Sequence, residues 1–97
     1  NYKTKIYYFN GKKHRIDGPA VEYSGGSKLW YQNGQYHRID GPACEWNSGT
    51  KWWYKNGKLH RTDGPAREWY DGNKEWFING KEYTEKNYKK EIKKLIE

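Results

Sequence analysis

HRIDGPACEWNSGTKWWYKNGKL, residues 37–59, decides the fold, because nearly the same string stands at 14–36 (HRIDGPAVEYSGGSKLWYQNGQY) and again at 60–82 (HRTDGPAREWYDGNKEWFINGKE). The shared element, His-Arg-x-Asp-Gly-Pro-Ala-x-Glu followed by an aromatic residue, begins at His14, His37 and His60, 23 residues apart each time. A fixed period in this range marks supersecondary units that stack, each burying surface against its neighbours. A partial copy, KIYYFNG from Lys5 to Gly11, stands ahead of the first full one. The 97 residues therefore predict one domain with three and a half repeats over 5–83: a partial unit at 1–13, then full units at 14–36, 37–59 and 60–82.

Within a unit, Gly18 before Pro19 biases the chain to extended geometry after a turn. Ala20-Val21-Glu22-Tyr23 then alternates as a strand does, Ser24-Gly25-Gly26-Ser27 breaks it, and Lys28-Leu29-Trp30-Tyr31-Gln32 reads as a second strand. Asn33-Gly34 is a hairpin signal, since a type I′ turn needs positive φ at both central residues. The pair recurs at Asn10-Gly11, Asn56-Gly57 and Asn79-Gly80. The predicted product is a mainly β protein, an antiparallel hairpin meander in one sheet. A constant offset stacks Tyr7, Trp30, Trp53 and Trp76 in one row and Tyr8, Tyr31, Tyr54 and Phe77 in the next. Neighbouring rows point to opposite faces. Both faces are then aromatic, so something must cover part of one.

The fourth His-Arg never comes. Tyr83-Thr84 stands in its place, and the segment 84–97 has a helical pattern, with Thr84 as cap and Glu85 in the first turn. Tyr88, Ile92, Leu95 and Ile96 fall at i, i+4, i+7 and i+8 opposite the lysines. This helix is expected to close the last hairpin, as an open repeat array needs a terminal unit with a polar outer side.

Aliphatic residues are scarce: three Leu, six Ile and Val21, with no Met. Six Trp, ten Tyr and two Phe must supply the apolar stabilisation. The formal charge of +7 favours acidic partners, whether nucleic acid, nucleotide, anionic lipid or an acidic protein surface. Cys44 is the only cysteine, and its repeat equivalents are Val21 and Arg67, so it reads as incidental. No apolar run approaches the ~20 residues of a membrane span, and no leader pattern stands at the N-terminus. A cytoplasmic protein is expected.

The three copies of His14, His37 and His60, with Arg15, Arg38 and Arg61 and with Asp17, Asp40 and Asp63, invite a catalytic reading. Catalysis needs one pocket with unlike neighbours, whereas these recur in equivalent surroundings, so they read as structural, along with Trp30, Trp53 and Trp76. Neighbouring histidines one repeat apart are separated by ~9 to 10 Å, two strand spacings, too far for a shared metal. No metal or other cofactor is expected. Glu22, Glu45 and Glu68 are expected to pair with Lys28, Lys51 and Lys74 across the short turn. There is no P-loop, nucleophile elbow or CxxC pair, so no enzymatic activity is expected. The three arginines are the candidates for anion binding if the ligand is a nucleotide or nucleic acid.

Partner contacts are expected where the repeats differ, since variation changes a surface without disturbing a stack. That singles out Leu29, Tyr36, Trp52, Lys55, Leu59 and Arg67, and Tyr31 and Tyr54 join them as neighbours of Trp52 on one face. Trp52 leads them: alternation puts it on the face of Tyr31 and Tyr54, and aromatic anchors beside cations are the usual centre of an interface.

The segment Trp53-Tyr54-Lys55-Asn56-Gly57-Lys58-Leu59-His60, with its recurrence, resembles MORN repeats and their variants over about residues 5 to 83. The resemblance implies a string of β-hairpins in an elongated sheet serving as a scaffold or interaction module. Where the usual pattern has His-Gly-x-Gly, this chain has His-Arg-x-Asp-Gly-Pro-Ala, which looks like repeats of bacterial, bacteriophage and large-virus proteins. The function so implied is a non-enzymatic binding protein on an acidic protein partner, such as a phage-type inhibitor of a host nuclease or defence complex (an anti-CRISPR, for example) in the host cytoplasm. The alternatives are a nucleotide- or nucleic-acid-sequestering module and a structural scaffold.

Overall fold

The computed structural model describes residues 3–96. Every Asn-Gly pair makes its turn: Asn10, Asn33, Asn56 and Asn79 have φ between 49° and 52°, and each following glycine is also at positive φ. Asn is the side chain that tolerates this region best, which is why the reversal recurs at the same position in each unit. The first unit contributes β1 (Lys5–Ile6), β2 (Tyr8–Phe9) and β3 (Lys12–Lys13). The next contributes β4 (Val21–Glu22), β5 (Lys28–Leu29), β6 (Tyr31–Gln32) and β7 (Gln35–Tyr36). The central one contributes β8 (Cys44–Glu45), β9 (Lys51–Trp52), β10 (Tyr54–Lys55) and β11 (Lys58–Leu59). The last has β12 (Arg67–Glu68), β13 (Lys74–Ile78) and β14 (Lys81–Tyr83), followed by α1 (Glu85–Ile96).

The architecture is a mainly β antiparallel meander closed by one helix. It departs from a single continuous sheet in one respect. Strands β1, β4, β5, β8, β9, β12, β13 and β14 form one eight-stranded sheet in that order, while β2/β3, β6/β7 and β10/β11 are separate two-stranded hairpins. The long strand expected over 28–32 is interrupted at Trp30, and its equivalent at Trp53. At each interruption the indole residue's backbone N–H donates across to the next repeat, Trp30 to the Ala43 carbonyl and Trp53 to the Ala66 carbonyl, both at 2.7 Å. The next repeat also lays an arginine over each ring. Trp76 has no following repeat to make either contact, and there the strand runs unbroken from Lys74 to Ile78.

Each interruption separates the eight-stranded sheet from the row of Asn-Gly hairpins, and the core lies between them. Val21, Leu29 and Cys44 from the sheet are at most 2% exposed and pack against Tyr31, Tyr36 and Tyr54 from the hairpins. A second cluster of Leu59, Ala66 and Phe77 continues it, with Trp52, Trp53 and Tyr54 shared around its edge. The Ala of each motif, Ala20, Ala43 and Ala66, is fully buried. The helix begins as expected: the Asn87 N–H donates to the Thr84 hydroxyl at 3.2 Å. Its apolar stripe docks only at its first half. Tyr88 is buried and Ile92 half-buried, whereas Leu95 and Ile96 are exposed.

Candidate functional site

The motif shared by the repeats closes around its arginine. The Arg38 Nε donates to Asp40 at 3.0 Å, and Nη1 donates both to the Pro42 carbonyl at 3.1 Å and to Glu45 at 2.9 Å. Arg15 and Arg61 repeat the arrangement with Asp17, Pro19 and Glu22 and with Asp63, Pro65 and Glu68. Each guanidinium lies over an aromatic ring of the preceding unit, its Cζ at 4.1 Å from the Tyr7 centroid for Arg15 and at 3.8 Å from those of Trp30 and Trp53 for Arg38 and Arg61. The motif glycine lies close against the same group. A Cβ on Gly18, Gly41 or Gly64 would stand 3.1, 3.0 or 2.8 Å from the arginine Cζ, so a side chain here would push the guanidinium from its place. The aromatic row on this face is thus covered by the arginines of the next repeat.

Two sequence expectations change. Glu22, Glu45 and Glu68 do lie opposite Lys28, Lys51 and Lys74 in strand register, but their carboxylates turn to the arginines instead. A guanidinium held on a ring offers two aligned donors, which a flexible ammonium across the strand does not match. Arg15, Arg38 and Arg61 are correspondingly poor anion-binding groups, because each already serves two carboxylates inside its own repeat.

The histidines fasten the hairpin row. The backbone N–H of Asn33, Asn56 and Asn79 donates to Nδ1 of His14, His37 and His60 at 2.9 to 3.0 Å, tying each Asn-Gly turn to the hairpin before it. This bond requires Nδ1 without a proton. Burial, with Lys55 adding to it, holds the His60 imidazolium below the ordinary range. The unfolded chain therefore takes up the His60 proton at a higher pH than the folded one does, and stability falls as pH drops below the ordinary imidazole range of about 6.5. Urea midpoints are expected to be level above that range and to decline below it, with a shallower decline in His60→Ala. A steeper decline in the variant contradicts the assignment.

A third fastener was not anticipated. The backbone N–H groups of Ser24, Asn47 and Tyr70 donate to the hydroxyls of Thr4, Ser27 and Thr50 of the preceding unit, at 3.3, 2.9 and 3.1 Å. Its signal in the sequence is a hydroxyl residue at one fixed repeat position, and Ser27 and Thr50 are both buried.

The residues expected to meet a partner fall largely inside. Leu29 and Leu59 are core residues, 2% and 8% exposed, and are not surface contacts. Tyr31, Tyr36 and Tyr54 stack in a ladder, with ring centroids 4.6 and 4.9 Å apart. Trp52 does share the face of Tyr31 and Tyr54, but it stands between Trp46 and Trp69, edge to face at 5.3 and 5.5 Å. Arg67 takes the inner position that Val21 and Cys44 occupy elsewhere, and pairs with Glu75 at 3.3 Å. Cys44 itself is fully buried, and burial pushes its thiol up to about 12. Of the eight, Lys55 alone is exposed.

Two of the features open to solvent bear on binding. An open groove of about 640 Å³ runs between the loops 37–41 and 60–63, walled by Arg38, Trp53, Lys55 and Arg61. Its histidines and arginines are committed to the fastening bonds described above. The second feature is a row of lysines. Lys5, Lys28, Lys51 and Lys74 are exposed on every second strand of the large sheet, opposite in alternation to its buried side, with a spacing of ~9 to 10 Å. Among the described residues the paired lysines are Lys89 with Glu85 and Lys94 with Glu91, both on the helix, while all four arginines are paired. The free positive charge of the sheet is therefore lysine charge. No family model matches the chain, and neither does any curated protein or solved structure.

Proposed function

We propose that this chain is a non-enzymatic binding protein whose sheet docks on an acidic protein surface through the row Lys5, Lys28, Lys51 and Lys74. The observation that carries the reading is the division of labour among cations: arginines neutralised within the fold, lysines exposed in register on one face. Such a row steers an acidic surface into place and sets its orientation. Protein is favoured over nucleic acid because the internal rings of the aromatic rows are not free to stack on bases. The Trp30 and Trp53 rings lie under arginines, and Tyr31, Tyr36 and Tyr54 stack on one another. In the setting implied by the resemblance to phage-type repeats, the partner is a host nuclease or defence complex with an acidic patch.

Poly-L-glutamate and oligothymidylate, titrated separately at low and physiological salt with tryptophan fluorescence as readout, test this reading. Poly-L-glutamate is expected to bind, and Lys28→Gln combined with Lys51→Gln to weaken it about tenfold or more at unchanged thermal stability. Equal binding by the double variant removes the lysine row from the mechanism. Tighter binding of oligothymidylate with indole quenching replaces the protein reading with the nucleic-acid one.

A further inference from the structure

The Asn-Gly turns hold a reactive pair of groups as well as a bend. When a glycine amide nitrogen attacks the side-chain carbonyl carbon of the asparagine before it, a new C–N bond closes a five-membered imide. The attacking nitrogen gives up its proton, and the side-chain nitrogen takes one up and leaves as ammonia. Water then opens the ring at either carbonyl, giving aspartate or isoaspartate. Glycine has no side chain to hinder the attack. Asn33, Asn56 and Asn79 are exposed, so the water that the reaction consumes is at hand.

The fold withholds the nucleophile. The N–H groups of Gly34, Gly57 and Gly80 donate to the carbonyls of Lys13, Tyr36 and Leu59 in the preceding units, at 2.9, 2.9 and 2.8 Å. Attack requires that proton to leave and the peptide plane between Asn and Gly to turn toward the side chain, and either change breaks the bond. The asparagine is held as well. Its own N–H donates to Nδ1 of His14, His37 or His60, and φ of 52°, 50° and 49° keeps Asn33, Asn56 and Asn79 in the turn. The two bonds that fasten each hairpin to the one before it therefore disarm the pair.

We propose that Asn33, Asn56 and Asn79 are latent deamidation sites, closed while their repeat junctions hold and reactive when a junction opens. The rate at each site follows the open fraction of its own junction, because a turn opens and recloses far faster than the imide forms. Isoaspartate then makes the opening permanent. It carries the main chain through the former side chain and adds one backbone atom to a two-residue reversal, so the two N–H groups no longer reach the histidine and the carbonyl together. Aspartate, the other product, keeps the length of the turn.

The full chain, incubated at mildly alkaline pH both folded and in urea, is mapped by mass spectrometry with the isoaspartate and aspartate peptides separated by chromatography. Deamidation at the three sites is expected to be at least about tenfold slower in the folded chain. His37→Ala removes one of the two bonds at a single turn, and is expected to raise the rate at Asn56 severalfold while Asn33 and Asn79 keep theirs. In the unaltered chain the order of the three rates is expected to match the order of hydrogen exchange at the Gly34, Gly57 and Gly80 amides, a comparison that decides the matter even if His37→Ala does not fold. The fraction with isoaspartate at position 56, isolated by ion exchange, is expected to melt below Asn56→Asp, which has the same charge and an unlengthened backbone. Equal rates in the folded and unfolded chains, rates out of order with amide exchange, or a folded His37→Ala chain with no rise at Asn56 overturn the proposal. An isoaspartate fraction that melts together with Asn56→Asp overturns the permanence of the opening.

Discussion

Arg38→Ala is expected to destabilise the protein by about 2–3 kcal/mol, read as a lowered urea midpoint. The side chain is only 21% exposed, lies 3.8 Å above Trp30, and donates to Asp40, Pro42 and Glu45. Removing it bares an indole face, leaves the Pro42 carbonyl without its donor, and strands a half-buried Glu45. The contributions are unequal. Asp40 is 85% exposed, so Asp40→Ala should cost no more than about 0.5 kcal/mol, whereas Glu45→Ala should cost about 1–2 kcal/mol. Arg38→Lys is expected to recover little, because an ammonium neither stacks flat nor serves two acceptors at this angle. A loss under about 0.5 kcal/mol for Arg38→Ala would show that repeat junctions rest on backbone bonds and apolar packing alone.

Tyr88→Ala is expected to cost about 3 kcal/mol and to release the helix, seen as a fall in helical circular dichroism ahead of the main unfolding transition. Tyr88 is 4% exposed and is the one helix residue that is buried. Its hydroxyl bridges the Arg61 carbonyl and the Gly64 N–H, inside the loop that positions the last guanidinium. Burial also raises the phenol's ionisation range, so the hydroxyl keeps its proton as a donor. Tyr88→Phe separates the two roles: ring packing is kept and the bridge is lost, at about 1–2 kcal/mol with the helix still folded. Equal losses for Ala and Phe would mean that the ring contributes nothing.

The turns and the helix start were legible in the sequence because they are local. Asn-Gly dictates positive φ within two residues, and Thr84 caps a helix that begins one residue later. The aromatic rows were also legible, since alternation and a constant offset suffice to align Trp30 with Trp53 and Tyr31 with Tyr54. What covers the Trp30 and Trp53 row was not. The need for a cover was apparent, but the arginine that supplies it comes from eight residues downstream, across a hairpin and into the next unit. The same distance hid the choice made by Glu22, Glu45 and Glu68. Strand register offered a lysine directly opposite, and only the position of the stacked guanidinium shows that a better aligned donor stands nearby.

The site followed from those choices. Variation between repeats pointed to Leu29, Trp52 and Leu59, yet variation at a buried position adjusts packing as readily as it adjusts a surface. Leu29 pairs with Val21 on one side and Cys44 on the other, so residue type there follows its neighbours across the sheet. By itself the sequence determined the repeat length, the reversals, the alternation of faces and the terminal helix, all set by the backbone preferences of a few adjacent residues. Only the tertiary structure decided which face is buried and which cations are neutralised. Those depend on side chains from neighbouring repeats meeting in space, where a planar guanidinium between a ring and two carboxylates outcompetes an ammonium and leaves the lysines free.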